Sequence, residues 1–233
     1  MAHIQGVGTL MKIAIVIPAY NEAQSIGPLV AAIRAFNYDC LVIDDGSLDA
    51  TDTVAAQAGA IVLKTGGKSG KGHALKIGFE YVLKNSYDAL IAMDGDGQHS
   101  PADIGAFVDC YKTTQADIVC GNRMQNPQGM PLVRLMTNSF MSWLISLICR
   151  QHIPDTQCGF RLIKTQALRA MTLECSDFEI ETEVLIKASK KGFKVVSIGI
   201  QSIYNGGVSK INPVRDTFRF LAYLLRELSK KNV

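Results

Sequence analysis

Apolar runs of strand length alternate with amphipathic stretches of helix length through the first half of this chain, and that alternation leaves few folds open to it. Strands are read at 12–18, 40–44, 60–63, 89–94 and 117–120, with helices between them at 26–36, 51–58, 73–83 and 102–112. Strands joined through crossover helices run parallel, so the pattern predicts an α/β fold with a mostly parallel, Rossmann-like sheet flanked by helices. In open sheets of this kind ligands bind beyond the carboxyl ends of the strands. The polar clusters fall there: Tyr20-Asn21-Glu22, Asp44-Asp45-Gly46-Ser47, the glycine-rich 66–72, and Asp94-Gly95-Asp96-Gly97-Gln98.

The last of these clusters sets two carboxylates and an amide at the end of one strand. Residues i and i+2 of extended chain project to the same side, and the intervening glycines let the backbone turn so that the oxygens converge. Asp94, Asp96 and Gln98 therefore form a candidate site for Mg2+ or Mn2+, hard or borderline ions that complete their octahedron with diphosphate and water. A calcium loop is excluded, because the sixth and twelfth positions from Asp94 are His99 and Gly105, where such a loop needs Gly and Glu. The 66–72 segment fits no phosphate-loop register, and Gly6-Val7-Gly8 lacks the third glycine of a dinucleotide fingerprint. None of His3, His73, His99 and His152 has a neighbour at zinc-ligand spacing.

The chain has 233 residues, enough for one domain with a substantial core. Lys plus Arg number 24 against 21 Asp plus Glu, so the field of a nucleic-acid binder is missing. The six cysteines contain no C-x-x-C pair and several lie in apolar runs, which reads as reduced core thiols of a cytoplasmic protein. The N-terminal segment is neither basic nor long and apolar, so no signal peptide is expected. No apolar run is read as approaching the roughly 20 residues of a membrane span. A soluble or peripheral protein is expected.

Beyond Gly121 the character changes. A loop at 122–131 leads to a mostly apolar helix, Leu132–Cys149, then to a polar loop at 155–161 entering a short strand. A helix at 180–190, a strand at 194–204 and a glycine-containing loop at 205–209 follow, and Pro213 opens a last helix to about 230. That helix carries Val214, Phe218, Leu221, Leu225 and Leu228 along one stripe, with Arg215, Arg219, Arg226, Lys230 and Lys231 largely elsewhere. It is a basic amphipathic helix, suited to docking on the core or lying on a membrane surface. One domain thus divides into halves at about 12–121 and 122–233.

The ordered motifs Ile15-Val16-Ile17-Pro18-Ala19-Tyr20-Asn21-Glu22, Val42-Ile43-Asp44-Asp45-Gly46-Ser47-Leu48-Asp49-Ala50-Thr51, Gly70-Lys71-Gly72 and Asp94-Gly95-Asp96-Gly97-Gln98-His99 resemble those of family 2 glycosyltransferases with the GT-A fold. Asp155-Thr156-Gln157-Cys158-Gly159-Phe160-Arg161, Phe178-Glu179-Ile180-Glu181-Thr182-Glu183 and Ser209-Lys210-Ile211 resemble the dolichol-phosphate mannosyltransferase branch. The resemblance implies an inverting hexosyltransferase that moves mannose or glucose from a nucleoside-diphosphate sugar to a polyprenyl phosphate. GDP-mannose is the favoured donor and UDP-glucose the alternative. It further implies that Pro18, Ala19, Tyr20, Glu22, Ile43 and Asp45 hold the nucleoside, that Asp94, Asp96 and Gln98 hold the metal, and that Lys71 and Lys210 meet phosphate. Arg123 and Arg134 are expected on the donor or acceptor phosphates, where a planar guanidinium makes paired contacts. Asp155 has two readings, catalysis or the ordering of its own loop.

Two rival activities remain at this stage. A sugar hydroxyl acceptor requires a general base, for which Asp155, Glu179, Glu181 and Glu183 are the candidates, whereas a lipid phosphate is already anionic and attacks unaided. A nucleotidyltransferase that makes the activated sugar is the other, but the Gly-rich arginine and lysine signature of that chemistry is missing near the N-terminus.

Overall fold

The computed structural model describes residues 11–201, 203, 220, 223, 224, 226 and 227. Five strands and four helices alternate as expected: β1 (Ile13–Ala19), α1 (Ile26–Ala35), β2 (Asp39–Asp44), α2 (Thr51–Gln57), β3 (Ile61–Lys64), α3 (Lys71–Lys84), β4 (Ala89–Ala92), α4 (Ile104–Thr114) and β5 (Ile118–Asn122). The second half adds α5 (Leu132–Cys149), β6 (Arg161–Lys164), α6 (Thr165–Arg169), α7 (Ile180–Lys190) and β7 (Val195–Gly199). All seven strands join one sheet in the order β3-β2-β1-β4-β6-β5-β7.

The sheet is parallel from β3 to β4, but β6 inserts antiparallel between β4 and β5. Its ladder pairs Leu90 with Ile163 on one side and Val119 with Leu162 on the other. The second half is therefore stitched into the middle of the sheet. β7, read as reaching residue 204, ends at Gly199 because it pairs only with β5, whose last partnered residue is Asn122.

Period-2 alternation sorts the strand residues between two cores. Ile13, Ile15, Ile17, Ile91 and Met93 face α1 and α4 through Ile26, Val30, Ile33 and Phe107. Ala14, Val16, Leu90 and Ala92 face the opposite way, toward Leu75, Phe79, Ile145, Val184 and Leu185 of α3, α5 and α7. Phe220, Tyr223 and Leu224 are helical and buried against this second core. The stripe expected at Val214, Phe218, Leu221, Leu225 and Leu228, the loop 205–209 and Lys210 lie outside the described residues.

One expectation is corrected in α5. Its 18 residues have a mean hydropathy of 1.4, long and apolar enough to cross a membrane by length and composition. One face, Asn138, Ser142, Ile145 and Cys149, is nevertheless buried on the domain. The other turns Leu132, Val133, Met136, Phe140, Trp143 and Leu147 outward. The six cysteines are unpaired thiols, four of them buried, as read from their spacing.

Candidate active site

The loops leaving β1 and β2 are bound to each other. Asn21, in the left-handed region at φ 53°, donates its N–H to Ser47 Oγ at 2.9 Å, and its own Oδ1 accepts from Leu48 N–H at 2.8 Å. Glu22 N–H donates to Thr51 Oγ1 at 2.8 Å and Ala23 N–H to Asp49 Oδ2 at 3.1 Å. The hydroxyl of Ser25 sits 2.9 Å from Glu22 Oε2 and 2.7 Å from Gly95 O, which ties the first loop to the fourth. An open cleft of about 380 Å³ results, lined by Asn21, Glu22, Ala23, Gln24, Ser25, Asp49 and Asp96.

Asp45, expected at the nucleoside, first builds the pocket wall. Its Oδ1 accepts from Ser69 N–H at 2.8 Å and its Oδ2 from Gly70 N–H at 2.9 Å, which fixes the glycine-rich segment over the strand ends. Gly46 makes that approach possible: at φ +74° a side chain is strained, and a Cβ there would lie 2.6 Å from Lys68 N. Lys68 Nζ rests 4.1 Å from the centre of the Tyr20 ring. Two residues expected at the nucleoside turn their side chains inward. The side chains of Ile43 and Ala19 are buried in the two cores, because alternation along β2 and β1 turns them into the sheet packing while Pro18 and Tyr20 remain half-buried at the rim.

At the end of β4 the acidic residues divide their tasks. Asp94 Oδ1 lies 2.6 Å from Lys71 Nζ at the start of α3, and the same ammonium lies 2.6 Å from Glu181 Oε1 in the first turn of α7. His99 Nε2 stands 3.5 Å from Asp94 Oδ2, its ring packed 5.2 Å from that of Phe160. Burial opposes charge on Asp94, but Lys71 and His99 outweigh it and hold the carboxyl well below the ordinary carboxylate range. Lys71 is likewise held above the usual lysine value, its burial outweighed by Asp94 and Glu181. It was expected on phosphate; here it bridges two carboxylates.

Asp96 is exposed toward the cleft, and Gln98 N–H donates to its Oδ1 at 3.0 Å. Reduced solvation in the cleft and the neighbouring charge of Asp94 raise its carboxyl above the ordinary value. Among the described residues no three His, Cys, Asp or Glu side chains form a ready-made metal cluster. The donor set nevertheless fits a divalent cation. Asp96 is a charge-rich oxygen ligand open to the cleft, Gln98 adds an amide oxygen on the same turn, and the remaining positions suit diphosphate and water.

Arg123 and Asp155 are brought together. Arg123 Nε and Nη2 donate to Asp155 Oδ2 and Oδ1 at 2.8 and 3.0 Å, and both residues are buried. Arg123 was expected on phosphate and Asp155 either in catalysis or in loop order; the geometry is that of a buried clamp. The loop is held further where Thr156 N–H donates to Ser142 Oγ of α5 at 2.9 Å. Arg161, fully buried, donates from Nε to Cys158 O at 2.8 Å and from Nη2 to Thr156 O at 2.6 Å. Arg134, on the first turn of α5, is half-buried with no hydrogen bond or ion pair to any described residue. The sequence named Glu181 only as a possible base and gave no role to His99, Ser25 or Asp49. The local signals were a glutamate in a helix's first turn and a histidine beside the metal motif, which do not reveal partners on distant loops.

The family model for glycosyl transferase family 2 matches residues 14–172, well over half of the chain. Undecaprenyl-phosphate mannosyltransferase of Micrococcus luteus is 30% identical over 204 residues, 82% of this chain and 83% of that one. The UDP-N-acetylglucosamine–dolichyl-phosphate N-acetylglucosaminyltransferase of Methanococcus voltae is 28% identical over 215 residues, 82% of this chain and 86% of that one. Among solved structures, glucosyl-3-phosphoglycerate synthase of Mycobacterium tuberculosis, in complex with Mn2+, uridine diphosphate and phosphoglyceric acid, shares the fold. Its TM-score is 0.72 at 18% identity, covering 96% of this chain and 80% of that one. The motifs at the strand ends, the mixed sheet that carries them and these likenesses agree: the chain belongs to glycosyltransferase family 2, in the branch that resembles the dolichol-phosphate mannosyltransferases.

Proposed function

We propose that this glycosyltransferase moves a hexose from a nucleoside-diphosphate sugar to a polyprenyl phosphate, with inversion and with a divalent metal. The observation that carries the reading is the state of three of the four candidate bases, Glu179 standing half-buried at the N-terminus of α7. Asp155 is clamped by Arg123, Glu181 holds Lys71, and the fully buried Glu183 accepts from Glu174 N–H and Cys175 N–H beside Lys187. A sugar hydroxyl acceptor needs a free base, whereas a phosphate monoester arrives as its own nucleophile. What such a reaction requires is positioning and charge compensation.

In this reading residues 12–121 hold the donor and 122–233 the acceptor. Asp94, Asp96 and Gln98 hold Mg2+ or Mn2+, which when bound neutralises the departing diphosphate. Asp45 and the 66–70 segment close the nucleoside pocket beside Tyr20 and Glu22. Arg134 offers to the acceptor phosphate a guanidinium that has no hydrogen bond or ion pair to any described residue, and Lys210 is assigned to the same charge. The outward face of α5 rests on the cytoplasmic surface of the membrane, where a lipid acceptor is presented. GDP-mannose is the preferred donor and UDP-glucose the second choice.

The test is a panel of labelled GDP-mannose, UDP-glucose and UDP-N-acetylglucosamine offered with polyprenyl phosphate in vesicles. Label should enter the organic phase with one donor, and chelation should abolish the transfer reversibly. Label that remains aqueous with every donor overturns the proposal.

A further inference from the structure

We propose that Lys71 is a resident counter-ion of Asp94, displaced only when metal and donor diphosphate enter together, and that Glu181 is the anchor that retains it. The inference rests on the metal role proposed for Asp94, Asp96 and Gln98. Lys71 Nζ sits 2.6 Å from both Asp94 Oδ1 and Glu181 Oε1, and its side chain is only 16% exposed. It therefore occupies one of the positions from which a cation would reach that oxygen of Asp94. Two cations within a few ångströms repel strongly where water is scarce. A metal ion arriving alone meets that repulsion, whereas metal with diphosphate brings the negative charge that removes it.

The surroundings determine where the ammonium can go. Gly159 lies directly against both carboxylates: a Cβ there would fall 2.8 Å from each Asp94 oxygen and 3.0 Å from Glu181 Oε1. The backbone thus buttresses the two acids at a spacing that one ammonium bridges. Lysine is a compact charge on a flexible stem, so it can release one carboxylate while keeping the other. Glu181, 11% exposed and fixed on α7, is the partner it keeps. His99 flanks the other oxygen of Asp94 at 3.5 Å, which narrows approach from that side. Metal binding is in this way coupled to donor binding before any chemistry occurs.

The experiment is a MnCl2 titration read by the electron paramagnetic resonance signal of free Mn2+, without nucleotide and with GDP or UDP. Wild type, Lys71→Gln, Lys71→Met and Glu181→Gln are compared, with thermal melts to establish folding. Wild type should bind Mn2+ at least about tenfold more tightly with the diphosphate than without it. Both Lys71 variants should gain about tenfold in nucleotide-free affinity, and Glu181→Gln should lose several-fold in the presence of nucleotide. Nucleotide-free affinity in the Lys71 variants at or below that of wild type overturns the proposal. Should those variants fail to fold, an unchanged nucleotide-linked affinity in Glu181→Gln overturns it instead. Wild type that binds no Mn2+ even with nucleotide sinks the metal reading, and the counter-ion with it.

Discussion

Asn21, Glu22, Asp45 and Asp94 are each tied to a neighbouring loop or helix start on the proposed donor side of the cleft, whereas on the proposed acceptor side Arg134 has no polar partner among the described residues and α5 faces outward with large apolar side chains. The donor side is organised before anything binds, which suits a nucleoside diphosphate of constant shape. The acceptor side is organised only at its base, where Asp155 and Thr156 lock the loop to Arg123 and Ser142. Above that base it presents Arg134 and the outward apolar face of α5. The proposed lipid phosphate would bring charge to the one and hydrocarbon to the other.

The largest expected effect concerns that locked base. Asp155→Asn removes the carboxylate to which Arg123 Nε and Nη2 donate in a buried pair, and should cost about 3–5 kcal/mol of unfolding free energy in urea. Arg123→Met combined with Asp155→Leu should recover most of it; failure to recover would give the pair a task beyond holding the loop. Acid sharpens the test. Burial acts to raise the Asp155 carboxyl, but Arg123 outweighs it and holds the folded-state value below the ordinary 3.8. The stability it contributes is present above 3.8 and is lost as the pH falls through the lower folded value. Asp155→Asn should therefore flatten the acid limb of the stability curve.

Next comes the metal. Asp96→Ala should lower turnover by about 10²–10³, as for other groups that meet charge at the reacting centre. Because Asp96 is exposed, melting should barely change. Its raised carboxyl also means that metal affinity falls on acidification at higher pH than for an ordinary aspartate, since the protonated form is a poor ligand. Full turnover in the variant would remove the metal from the donor side.

Arg134→Ala should weaken transfer to a short, detergent-soluble acceptor by about 1.5–3 kcal/mol in kcat/KM while leaving nucleotide affinity unchanged. An equal loss in nucleotide affinity would move Arg134 to the donor side and break the comparison. The smallest effect is expected on α5. Trp143, the chain's single tryptophan, is exposed, so its emission should shift to the blue on anionic vesicles. Phe140→Ser should weaken vesicle binding by no more than the ~1.5–3 kcal/mol of a large apolar side chain and spare the soluble acceptor. Equal losses on both acceptors would make the α5 face structural.

The donor half was legible because its signals are local. Strand and helix periods, and motifs at strand ends, placed β1 to β5 and brought Asp94, Asp96 and Gln98 to one loop. Direction is not local: nothing in Arg161–Lys164 announces that β6 runs antiparallel between β4 and β5. Nor does sequence reveal that Lys71 meets Glu181, 110 positions away, or that Arg123 is spent on Asp155. Nor did the motifs show that the pleat sends the side chains of Ile43 and Ala19 into the core. The apolar helix at 132–149 was read correctly, but its exposed face emerged only once the buried face had found its partners.

The central claim is that the acceptor is a phosphate, and the linkage in the product tests it most directly. Purified enzyme, metal, the preferred nucleotide sugar and a polyprenyl phosphate should yield a single lipid whose mass equals acceptor plus one hexosyl residue. That product should release its sugar on mild acid and survive mild alkali, as a glycosyl phosphodiester does. A product whose sugar sits on a free hydroxyl, with the polyprenyl phosphate recovered unchanged, would contradict the account.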